Sequence, residues 1–128
     1  VVRATRVSAL LQQGEGATDQ DVRDAAFAAA NAYSQMRAAE LMLHEAIRLF
    51  ETGENPGEEA NLSKLLCADA SWAAAEMCVQ TFGGFGFAEE YDVERKFREA
   101  RLYQVAPIST NLILSYIAEH VLKLPRSY

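Results

Sequence analysis

The segment Gln80-Thr81-Phe82-Gly83-Gly84-Phe85-Gly86-Phe87 closes an alanine-rich stretch with three glycines and three aromatics. Tyr91-Asp92-Val93-Glu94-Arg95 and Arg98-Glu99-Ala100-Arg101 follow it at once. One glycine is enough to cap a helix, because it takes a left-handed conformation that satisfies the last carbonyls. Further glycines bring bare backbone to the surface, where a ligand can approach its N–H groups. Gln80, one turn before the cap, adds an amide that both donates and accepts. Such a corner can hold a polar or anionic group without a cation. The plainer alternative is a simple turn, with Phe82, Phe85 and Phe87 as plugs between helices.

Other chemistries find less support. The glycines lack the Gly-x-Gly-x-x-Gly spacing of a dinucleotide fold, and they end a helix where that motif starts one after a strand. A di-iron bundle needs Glu-x-x-His, whereas Glu40 and His44 are four apart and Glu119 and His120 are adjacent. Two histidines without matching partners do not make a hydrolytic triad. Cys67 and Cys78 form no Cys-x-x-Cys pair, so no zinc site is indicated.

The order of parts carries more. Gln-x-Phe-Gly-Gly-x-Gly-Phe, then Glu-Tyr-x-Val-Glu-Arg, then Arg-x-Ala-Arg resembles the C-terminal helical domain of the acyl-CoA dehydrogenases. The match holds one register from Gln80 to Arg101 and extends more loosely from Asp19 to Leu122. The resemblance implies an all-α antiparallel four-helix bundle, FAD as cofactor and an acyl-CoA thioester as substrate. It also implies homo-oligomers, dimers or tetramers, and leaves room for an electron-accepting flavoprotein as partner. In that family the corresponding corner crosses a subunit interface and touches the adenine-diphosphate half of FAD held by a neighbouring subunit. By the resemblance, Gln80, Thr81, Phe82, Gly83 and Gly84 are the residues in that role. The charged segment behind them, Glu94, Arg95, Arg98, Glu99 and Arg101, offers opposite-sign pairs that brace the corner.

The family's reaction removes an α-proton with a glutamate while the flavin accepts hydride from the β-carbon. In many members that glutamate stands six residues after the second arginine of Arg-x-Ala-Arg, followed by Gly-Thr. Here that position is Pro107, followed by Ile108. Proline cannot accept a proton, so no catalytic residue is assigned. The next three positions, Ser109, Thr110 and Asn111, match residues that contact FAD near its isoalloxazine ring. The family's Arg-x-Gln-Phe-Gly signature is also replaced, by Gln12-Gln13-Gly14-Glu15-Gly16. Cofactor binding therefore survives the comparison better than catalysis. Three readings stay open: a dehydrogenase whose base lies on an earlier helix, a flavin-binding relative with other or lost chemistry, and a non-enzymatic helical assembly module.

Helices must position these residues. Val1 to about Gln13 reads as a helix tail, and Thr18-x-x-Asp21 as a capping box that opens the longest element. Along it Val22, Ala26, Ala29, Tyr33, Met36, Glu40, Leu43, Ile47 and Phe50 alternate steps of four and three. That heptad stripe predicts a helix packed along a partner, with Glu40 paired to a nearby arginine. Gly53 ends it. Asn55 as cap and Pro56 in the first turn open a second helix over Glu58–Phe82, whose Ala73-Ala74-Ala75 permits close approach. A short charged helix over Asp92–Tyr103 and a last one over Leu112–Leu122, capped by Ser109 or Thr110, complete the set.

The 128 residues suffice for one domain, and half of them are hydrophobic, so a core is available. A net charge of −6 argues against nucleic acid as a partner, and no apolar run is long enough to cross a bilayer. Cys67 and Cys78 lie about 16 Å apart along one predicted helix, beyond disulfide reach. They read as reduced, buried thiols of an intracellular, cytoplasmic protein. The chain opens on Val1-Val2-Arg3 without a methionine, inside what reads as a helix. It is accordingly expected to be the C-terminal helical domain of a longer protein, over residues 1–128, with N-terminal helical and β domains and any targeting segment upstream.

Overall fold

The computed structural model describes residues 19–126. The expected helix tail over Val1–Gln13 and the capping box at Thr18 lie outside these residues. Four α-helices follow in order: α1 (Asp19–Thr52), α2 (Gly57–Phe82), α3 (Val93–Val105) and α4 (Thr110–Tyr116). Two 3₁₀ turns, Gly83–Phe87 and Glu89–Tyr91, join α2 to α3, and a π turn over Ile117–Val121 continues α4. No strand occurs among the described residues. The all-α antiparallel arrangement is the one the sequence predicts.

α1 contains neither glycine nor proline over its 34 residues, so nothing interrupts a helix about 51 Å long. Its end is a Schellman motif. Gly53 takes φ 77°, Gly53 N–H donates to Phe50 O at 3.2 Å, and Glu54 N–H donates to Leu49 O at 2.9 Å. Asn55 Oδ1 accepts from Gly57 N at 3.0 Å and starts α2, whose first turn carries Glu58 and Glu59 at the positive end of the helix dipole.

The face that α1 turns to α2 is not the heptad stripe. Ala39, Ala46 and Leu49 are buried, and they continue a second row through Ala25, Ala28, Ala32 and Met42. The two rows differ by one residue, which is about 100° around the helix. Small side chains let the α1 and α2 backbones approach closely, while Tyr33, Leu43, Ile47 and Phe50 stay exposed. Glu40 pairs with Arg37, as expected.

α2 is the central element, with α1 on one flank and α3 and α4 on the other. α3 runs antiparallel to it. Gln104 Nε2 donates to Asp69 Oδ1 at 2.9 Å, Lys64 Nζ donates to Tyr103 O, and Trp72 meets Phe97 at 4.6 Å between ring centroids. Arg101 lies over the Trp72 ring at 5.2 Å. Ile113 of α4, 1 % exposed, is the most buried large side chain. α3 begins one residue and ends two residues after its expected limits, with Asp92 outside it in the left-handed region; α4 begins two residues before Leu112 and ends at Tyr116, and only the π turn carries the helical run on to Val121, next to the expected Leu122. Of the two thiols only Cys78 is buried. Cys67 faces outward on α2, which corrects the expectation that both are buried.

Candidate functional site

α2 ends where Gly83 takes φ 56° and ψ −135°, a combination that side-chain-bearing residues avoid. The chain then tightens into the 3₁₀ turn Gly83–Phe87, which Ala88 N–H closes onto Phe85 O at 3.1 Å. The three glycines are not equivalent. A Cβ on Gly86 would lie 3.0 Å from Val79 O and 3.1 Å from Val79 Cα, so Gly86 is a packing glycine buried against α2. A Cβ on Gly84 would meet nothing within 4 Å, and Gly84 has no positive φ. Bare backbone therefore faces open space at Gly83 and Gly84, while the third glycine is buried. That corrects the expectation that all three surface.

Gln80 and Thr81 are exposed and Phe82 is half-buried. The Gln80 amide makes no hydrogen bond among the described residues, so its donors and acceptor are free. Thr81 Oγ1 donates its proton to Met77 O at 2.8 Å and keeps only acceptor capacity outward. Phe85 and Phe87 are 65 % and 74 % exposed, so they do not plug the helices. Phe82 and Phe85 instead meet Tyr91 at 5.8 and 5.7 Å, an aromatic edge beside the open backbone. The corner sits at the C-terminal end of α2, where orphan carbonyls carry the negative end of the helix dipole. Donors toward an anion must come from the Gln80 amide and from backbone N–H groups of the turn.

The ion pairs behind the corner run along α3 and its cap and reach no residue of the corner, so the expected brace is local to the helix. Arg95 reaches Asp92 at 3.1 Å and Glu99 at 2.9 Å, Lys96 reaches Glu99 at 2.8 Å, and Arg98 reaches Glu94 at 2.7 Å. The Arg95 guanidinium holds the Asp92 carboxyl below its usual value. Lys96 first, then Arg95, does the same for Glu99.

The second predicted cluster lies at the far end of α3. Ser109 caps α4, its Oγ accepting from Leu112 N at 3.3 Å. Thr110 is half-buried and Asn111 exposed in the first turn. Pro107 is exposed in the connection before them. The 13 residues of α3 separate this cluster from the glycine corner by on the order of 20 Å. The fold keeps each run together but does not bring Gln80–Gly84 and Ser109–Asn111 into one pocket.

One feature of the surface was not assigned from the sequence. An open apolar cleft of about 350 Å³ runs between α1 and the start of α2, lined by Leu43, Ile47, Phe50, Pro56, Ala60 and Ser63. The signal was present in the exposed heptad stripe. Among the described residues no group of three or more His, Cys, Asp or Glu side chains could hold a metal ion, and no helix is long and apolar enough to cross a membrane.

These features define an all-α domain with an open glycine corner and a charged outer face on α3. Residues 8–122 match the C-terminal domain of acyl-CoA dehydrogenases. The chain is 39 % identical over 101 residues to the acyl-CoA dehydrogenase FadE12 of Mycobacterium tuberculosis, covering 77 % of this chain and 26 % of that protein. It is 30 % identical over 92 residues to the mitochondrial short/branched chain specific acyl-CoA dehydrogenase of Rattus norvegicus, covering 72 % and 21 %. It is 31 % identical over 94 residues to the cyclohexane-1-carbonyl-CoA dehydrogenase of Geobacter metallireducens, covering 73 % and 25 %. The chain belongs to the acyl-CoA dehydrogenase family, in the part that forms its C-terminal domain. It spans about a quarter of the length of these relatives.

Proposed function

We propose that this chain is the cofactor-contacting and assembly domain of a flavoprotein that oxidises acyl-CoA thioesters between the α and β carbons. The observation that carries the reading is Gly84, whose bare backbone faces open space beside the free Gln80 amide, in a segment that keeps the family's register. FAD fits these residues: Gln80 and the backbone of Gly83 and Gly84 would contact its diphosphate, Thr81 Oγ1 would accept from a hydroxyl or amino group of the adenosine part, and Phe82 would be an apolar wall. Ser109, Thr110 and Asn111 would contact its ring half. The distance between the two runs fits contacts to cofactors shared with a second copy in a dimer or tetramer. Bound FAD would supply the acceptor for hydride from the β-carbon.

The chain's own contribution is to bind and orient. The Trp72–Phe97 contact holds α3, which spans the distance between the two runs, against α2. Pro107 cannot move a proton, so the base for the α-proton lies elsewhere in the whole protein. Pro107 also favours one alternative, a flavin-binding relative with other or lost chemistry. The free thiols of Cys67 and Cys78 support a reducing compartment, which we take to be the cytoplasm. An electron-accepting flavoprotein would reoxidise the cofactor.

The test is to saturate the whole protein with FAD and read flavin absorbance after gel filtration. Flavin comigrating with the protein is expected. Its loss at saturating FAD would leave only the helical assembly module.

A further inference from the structure

We draw no further inference here: the strongest candidate, the open cleft between α2 and the end of α3 lined by Lys64, Cys67, Ser71 and Tyr103, rests on one exposed thiol, and nothing in the structure shows a ligand there or what covers it.

Discussion

Replacing each of the three corner glycines separates the fold from the site, because the structure gives each a different cost. Gly83→Ala places a side chain at φ 56°, ψ −135°, which should cost about 1–3 kcal/mol. Gly86→Ala drives a methyl to 3.0 Å from Val79 O and 3.1 Å from Val79 Cα. Both are helix backbone atoms that cannot rotate aside, so α2 and the turn must separate, at about 1–3 kcal/mol. Gly84→Ala meets nothing within 4 Å and needs no unusual φ, so its effect should stay within about 0.5 kcal/mol. Urea titration of the chain reads these directly, and thermal melting should resolve them at about 3–6 °C per kcal/mol. The functional arm uses Gly84→Val in the whole protein. It should fold normally yet lose flavin on gel filtration, because the branched side chain fills the space a cofactor would need. A Gly84→Ala chain destabilised as much as Gly86→Ala would refute the corner geometry. A Gly84→Val protein that keeps its flavin would refute the cofactor reading and leave the geometry standing.

Three further outcomes are expected. Gln80→Ala should leave the urea midpoint unchanged and weaken FAD retention, since the amide is exposed and bonds to nothing in the chain; equal FAD affinity would remove Gln80 from the site. Trp72→Ala should cost about 2–4 kcal/mol by removing the Phe97 contact, and Arg101→Ala only about 0.5–1, measured by the same titration. The carboxyls of Asp92 and Glu99 are held below their usual values of 3.8 and 4.5, so their contribution is complete above those values and is lost as pH falls through the lowered ones. Stability should therefore decline with acid below about pH 4, less steeply in Arg95→Gln, and an unchanged slope in that variant would show that the ion pairs contribute nothing.

The helices were legible wherever local chemistry decides them. Gly53 and Asn55 mark the α1–α2 turn through backbone conformation and a side-chain acceptor, both written in single residues. Glu40 found Arg37 because that pair is local to one helix. What periodicity could not show is which apolar row of a long helix faces its own chain. The bulky row is the louder pattern, yet α2 takes the alanine row, because close backbone approach needs small side chains. The burial of Gly86 was equally hidden. It depends on the 3₁₀ turn folding back over Val79, a contact between α2 and the turn that no spacing rule contains. Cys67 and Cys78 lie eleven residues apart and nearly in phase, yet one is exposed and one buried, a difference that spacing along one helix does not contain.

The separation of the two candidate runs gives α3 its significance. Gln80–Gly84 and Ser109–Asn111 can act on shared cofactors only if their spacing is fixed, and α3 sets that spacing. Its ion pairs are exposed, and such pairs contribute little each. The apolar contacts of Trp72 with Phe97, together with buried Val93 and Ala100, hold the helix on α2. The brace is therefore a packed strut with a charged outer face. Loss of Arg98 should leave both runs in place, whereas loss of Trp72 should loosen them together, because both hang from the same helix.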